Sequence, residues 1–174
     1  MSEVELKTRD LVFMSLLMGL GFVLHAVIPG FFFGMKPDIF LVMMFVGILA
    51  FPSIKHVFLL GSVAGLLSAF TTTFPAGQIP NIVDKGITAL VFFILVLTMK
   101  KYKDKPFVTL AFTFVGTIVS GSIFLGSALL MSELPAPFIA LFSAVVLPTA
   151  VVNSLVMGVI YPIVLRINKQ TNKS

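Results

Sequence analysis

The sequence predicts an all-α protein that crosses a bilayer six times, and three observations carry that expectation. Of its 174 residues, 58% are hydrophobic and 11% charged, with a mean hydropathy of +1.11; soluble domains carry about 25% charged residues. The apolar residues come in long continuous runs, not in the alternating pattern of barrel strands. A hydrocarbon core about 30 Å thick admits only structures that satisfy their own backbone groups, which leaves helices of about 20 residues.

Charges, prolines and glycines divide the chain into six runs, taken as one transmembrane domain over residues 1–174. The first, Leu11–Ile28, starts behind Glu3, Glu5, Lys7, Arg9 and Asp10 and stops at Pro29 and Gly30. With no small-residue cleavage site after a short apolar core, this start reads as a mature cytoplasmic end and not as a signal peptide. The second, Asp38–Phe51, is short and covers about 20 Å at about 1.5 Å per residue; either it does not cross fully or the apolar loop PGFFFGM before it also dips into the membrane. The third and fourth, Val57–Thr73 and Asn81–Met99, flank the Pro-broken stretch FPAGQIP. The fifth and sixth, Phe107–Met131 and Pro137–Arg166, are long, and Pro148 inside the last is expected to kink it.

Basic residues orient these spans. With the N-terminus inside, the inner segments hold Lys7, Arg9, Lys55, Lys100, Lys101, Lys103, Lys105, Arg166, Lys169 and Lys173, and the outer loops hold Lys36 and Lys85. Such a bias places both termini in the cytoplasm. The net charge of +5 is thereby accounted for by topology and attraction to lipid surfaces, so the bilayer and not nucleic acid is the expected partner.

Chemistry that the chain does not carry narrows its function. It has no Cys, its histidines are His25 and His56, and no glycine loop of the G-x-x-x-x-G-K-[ST] kind is present. No metal site, cofactor site or catalytic residue follows from it, and no span holds paired carboxylates or a His–Asp set, so an enzyme is not expected. ATP-driven transport would need an ATPase on another subunit. A stand-alone secondary carrier is the alternative class, although one half of the chain does not repeat the other and no ring of membrane-centre carboxylates is visible.

Polarity concentrates in FPAGQIPNIVDKG, Phe74 to Gly86, on the predicted outer side. Asn81, Asp84, Lys85 and Thr88 recur at i, i+3, i+4 and i+7, which places them on one face of the fourth helix as a polar stripe descending into the membrane. Intramembrane charges are costly and mark sites by default. The bland reading is that Asp84 complements the helix dipole, Lys85 reaches headgroups and Pro80 opens a helix. Two further outer loops add FFFGMKPD, with Phe33, Met35, Lys36 and Asp38, and SELPAP, with Glu133. Asn153, deep in the sixth run, is either interhelical glue or a ligand contact. His25 reads as a packing histidine. Small residues at Ser15 and Gly19, and at Gly116 and Ser120, mark faces where an internal neighbour or a partner subunit can approach closely.

The segments HAVIPGFFFGMKPD, FPAGQIPNIVDK and SALLMSELPAPFIALFSAVVLPTAVVNS, in that order over almost the whole length, resemble the tryptophan-specific S components, the TrpP family, of bacterial energy-coupling factor (ECF) transporters. The resemblance implies a six-helix S component in the plasma membrane that captures L-tryptophan from outside. It also implies partners, a transmembrane coupling subunit and two cytoplasmic ATPases, and transport by toppling of the whole subunit. In the broader family an A-x-x-x-A pattern on the first helix meets the coupling protein; here Ser15 and Gly19 stand in the matching places. The family pocket lies in the outer halves of helices four to six, under the first, third and fifth loops.

A zwitterionic amino acid needs an anion for its ammonium, a cation or helix start for its carboxylate, and an apolar slot for its ring. On that footing Asp84 is assigned to the ammonium, with Glu133 as competitor, and Lys85 or the Pro80–Asn81 helix start to the carboxylate. Phe33, Met35 and Phe74 would sandwich the indole, and Gln78 or Asn153 would accept its N–H. Lys36 completes the candidate set. Another small metabolite or vitamin is the alternative ligand.

Overall fold

The structure, a computed structural model, describes residues 7–27, 38–98, 101, 105–131 and 134–171, the last four of these by backbone alone. Every regular element among them is helical: α1 (Thr8–Val27), α2 (Ile39–Ala50), α3 (Ile54–Thr71), α4 (Gln78–Thr98), α5 (Pro106–Met131), the short α6 (Phe138–Leu141), a π-helical turn (Phe142–Val146) and α7 (Leu147–Thr171). The last three run on as one span. Five runs are long and apolar enough to cross a membrane: α1, α3, α4, α5 and Phe138–Ile167.

The second helix answers the question its length raised. It has 12 residues, and Ile39 to Leu49 are buried without a break. A helix that is apolar all round belongs inside a core or a membrane, and here protein supplies the surroundings, because α1, α3, α4, α5 and α7 all pack against α2. Its centre is held by Phe45, stacked on Phe92 of α4 at 3.8 Å between ring centres. The apolar loop that was an alternative explanation lies outside the described residues.

Small residues set how closely the other helices approach. A Cβ at Gly61 of α3 would sit 3.0 Å from Ala89 Cβ, and one at Gly65 would sit 3.2 Å from Ile82 Cα, so α3 and α4 meet nearly backbone to backbone. At Gly116 of α5 a Cβ would come within 2.7 Å of the Phe45 ring, which assigns the Gly116–Ser120 face to an internal neighbour. Gly19 is the opposite case: nothing lies within 4 Å of a Cβ there, and Ser15 is exposed beside it. Around them Val12, Leu16, Leu20 and Val23 also face outward.

Pro148 does not simply bend the sixth span. The π turn comes immediately before it, with the Leu147 N–H bonded to the Phe142 carbonyl. A proline cannot donate to the carbonyl four residues back and crowds it, and widening the preceding turn is one way to accommodate that defect. Pro162, farther along α7, lies within the helix. At the end of the bundle away from that turn, buried His56 of α3 has Nε2 3.8 Å from Asp10 Oδ2 of α1, and Arg9 Nε lies 3.7 Å from Asp10 Oδ1.

Overpacking separates the two small-residue faces. Gly116→Val should lower stability by about 1–3 kcal/mol, whereas Gly19→Ala should not lower it. Thermal unfolding in detergent measures both, and a neutral Gly116→Val would contradict the packing described.

Candidate functional site

The stretch Phe74 to Gly77 is a tight turn that fixes one aromatic ring. Gly77 N–H donates to the Phe74 carbonyl at 3.0 Å, and Pro75 and Ala76 form the corner. Ala76 adopts φ 53°, a left-handed conformation that costs a non-glycine residue roughly 1–2 kcal/mol. Phe74 N–H donates to Thr72 Oγ1 at 3.2 Å, and a Cβ at Gly77 would fall 2.8 Å from that same oxygen. The result is a buried Phe74 set edge-on to Phe124 of α5, ring centres 5.1 Å apart.

From this turn α4 begins, with Pro80 in its first turn, where its missing N–H costs nothing. The helix then buries all four residues of the predicted stripe: Asn81, Asp84, Lys85 and Thr88. Lys85 Nζ lies 2.6 Å from Asp38 Oδ2 and also bonds to Asp84 Oδ2. Asp84 further accepts from Thr88 Oγ1 and from Ser120 Oγ of α5, both at 2.8 Å. Asp38 caps α2, its Oδ1 accepting from Leu41 N–H at 2.9 Å. The ammonium thus joins α2 to α4, and Asp84 carries the cluster on to α5 through Ser120; in ordinary charge states two carboxylates against one ammonium leave a single negative charge in excess.

This cluster forms part of the wall of a cavity of about 130 Å³, several times the roughly 10–15 Å³ that one water needs. Its polar side holds Asp38, Asp84, Lys85, Asn81 and Ser68. Its apolar side holds Phe74, Phe124, Leu125 and, from the π turn, Val145 and Val146. An apolar slot with a few convergent polar groups is the usual form of a small-molecule site.

Comparison with known proteins agrees with this architecture. The family model described as "Tryptophan transporter TrpP" matches residues 7–169. The chain belongs to the TrpP tryptophan transporter family. A Bacillus subtilis (strain 168) protein named "Probable tryptophan transport protein" is 51% identical over 167 residues, covering 96% of each chain. Proteins of the same name from Clostridium acetobutylicum and Clostridium perfringens are 45% and 35% identical, covering 91% and 93% of this chain and 92% and 94% of their own. No solved structure matches the chain. The TrpP family and these relatives are transporters, not enzymes, and with its apolar spans this member is a multi-pass protein of the bacterial cell membrane.

Within this TrpP chain the predicted residues fare differently. Asn81, Asp84, Lys85 and Phe74 reach the cavity. Phe33, Met35, Lys36 and Glu133 lie outside the described residues. Gln78, the first residue of α4, is exposed and off the cavity wall, because it sits seven residues, or roughly 10 Å, up the helix from Lys85. Asn153 is wholly buried, and its Nδ2 donates to Thr117 Oγ1 at 3.3 Å, which joins α7 to α5 behind the wall. His25, read as a packing residue, does pack against Phe40 at 5.0 Å, yet it also borders the cavity. Asp38 was noted only as a loop charge and Ser120 only as a small packing residue; their sequence signals, an Asp directly before an apolar helix and a Ser facing inward with Gly116, were present.

Removing the shared cation should expose what it does. Lys85→Met leaves the buried Asp84 carboxylate facing half-buried Asp38 with no cation between them and should destabilise the unliganded protein by about 3–5 kcal/mol; adding Asp84→Asn should recover much of that loss. Thermal unfolding of both variants in detergent tests this, and a Lys85→Met protein as stable as wild type would refute it.

Proposed function

We propose that this chain is the substrate-capturing subunit of an ATP-driven tryptophan importer: it binds L-tryptophan in the cavity beside Asp38 and Lys85 and releases it inward as an S component. The observation that carries this reading is the excess carboxylate in a cavity that also presents the Phe74 and Phe124 rings. A ligand bringing an ammonium neutralises that charge, and its aromatic ring replaces water against Phe74 and Phe124.

The geometry revises the roles expected from sequence. Asp84 is buried and takes three donors, from Thr88, Ser120 and Lys85, whereas Asp38 takes one on each oxygen, borders the cavity and keeps 25% of its side-chain surface exposed. Asp38 is therefore the better partner for the ammonium, with Asp84 as the charge behind it. Lys85, enclosed between two carboxylates, is not open to the ligand carboxylate. The indole slot is Phe74 with Phe124.

Delivery rests on partners. The chain contains no nucleotide-binding loop, so ATP-driven uptake needs an ATPase on another subunit, and the resemblance to S components implies a coupling subunit and two ATPases. The outward Ser15–Gly19 face of α1, where backbones can approach closely, supports such docking. The positive-inside bias supports cytoplasmic termini, and the cavity lies at the bundle end opposite Lys55, Lys101, Lys105 and Arg166, hence open to the exterior.

Calorimetry on the purified subunit should show one tryptophan per chain, and Asp38→Asn should weaken binding by about 1.5–3 kcal/mol, the worth of a charge-assisted contact. Heat with a vitamin and none with tryptophan would make this an S component for another metabolite. Ion-driven accumulation by liposomes holding this chain alone would make it a secondary carrier. Because the chain has no Cys, single cysteines report orientation: Gln78→Cys should react with an impermeant thiol reagent on intact cells, and Lys101→Cys only after permeabilisation. The reverse pattern would overturn the topology.

A further inference from the structure

The ligand's carboxylate lacks an assigned partner once Lys85 is enclosed, and several polar groups along the cavity wall are already engaged. Ser120 donates to Asp84, and Asn81 Nδ2 to the Gly77 carbonyl at 2.8 Å. Thr117 Oγ1 accepts from Asn153 Nδ2 at 3.3 Å, and Thr72 Oγ1 accepts the Phe74 N–H, so both oxygens are engaged as acceptors. Ser68 of α3 differs from these four. It is 6% exposed, it lines the cavity, and its hydroxyl has no hydrogen-bond partner among the described residues. Several other hydroxyls in the described helices fold back onto the carbonyl one turn earlier, as Thr71, Thr113, Ser122 and Ser154 do. A buried polar group left without a partner is costly, and natural structures rarely keep one without a reason.

Position supports a role for it. Ser68 lies one helical turn beyond Gly65, whose Cβ site falls 3.5 Å from Lys85 Cβ, so Ser68 stands on the α3 wall close to the cluster that would hold the ammonium. In an α-amino acid the carboxylate and ammonium share one carbon, so a carboxylate donor must stand near the ammonium site. We propose that Ser68 is a specificity-determining residue whose hydroxyl donates a hydrogen bond to the carboxylate of a bound α-amino acid. The inference rests on the tryptophan-binding reading and assigns within it the group that distinguishes an amino acid from its decarboxylated amine.

The test compares L-tryptophan with tryptamine, which keeps the indole and ammonium and lacks the carboxylate, on wild type and on Ser68→Ala by calorimetry. Ser68→Ala should weaken tryptophan by about 10- to 100-fold, leave tryptamine affinity unchanged, and leave the unliganded melting temperature equal or higher, because an unmet hydroxyl has gone. Should Ser68→Ala not purify folded, Ser68→Cys, of similar size and a weak donor, carries the same comparison. Unchanged tryptophan affinity, or equal losses for both ligands, would overturn the assignment while tryptophan binding itself stands. Wild type that binds no tryptophan would overturn both.

Discussion

The ammonium of Lys85, held between Asp84 on its own helix and Asp38 at the head of α2, is the interaction on which the arrangement of this protein rests. In a soluble protein a surface pair of this kind contributes little. Buried in a bundle with lipid outside, an unpaired member would be intolerable, so α2, α4 and α5 must meet where the charges can be shared. The packing serves that requirement. Gly61 and Gly65 let α3 sit against α4, and Gly116 admits Phe45 of α2 between α5 and α4. The ion cluster is thus both the reason these helices converge and the polar end of the cavity they enclose.

Burial of α2 on every side gives that cluster a fixed reference. A helix of 12 residues is about 18 Å long, too short to span the hydrocarbon alone, and its apolar surface is covered by neighbours instead of lipid. Its N-cap, Asp38, therefore enters the bundle at the depth of the cavity, and one carboxylate serves a helix start with one oxygen and the Lys85 ammonium with the other. A residue with both duties ties the secondary structure of α2 to the electrostatics of the site.

Much of this was legible in the chain. The long apolar runs foretold helices, and the 3.6-residue period foretold that Asn81, Asp84, Lys85 and Thr88 would face one way, because helical periodicity is a local property. Pairing between helices is not local. Nothing near Asp38 or Ser120 in sequence says that Lys85 and Asp84 lie opposite them, so the ammonium role went first to Asp84, the carboxylate already visible in the stripe. Ser68 was hidden for another reason: a lone serine in an apolar helix looks like any small packing residue until its hydroxyl is seen to lack the backbone bond that others make. Gln78 misled in the opposite sense, since a polar amide near a site carries no mark of which side of the rim it occupies.

The widened turn at Phe142–Val146 has a geometric consequence of its own. A donor five residues after its acceptor makes room for one residue more than an α-turn holds, and one residue of an α-helix corresponds to about 100° of rotation. The face that α7 presents downstream is therefore offset by more than a quarter-circle from the face that an uninterrupted helix would have continued from Phe138–Leu141. Val145 and Val146 within the turn, and Thr149 just beyond it, border the cavity. A chain one residue shorter here would keep nearly the same composition and span, yet turn a different side of the helix toward the cavity.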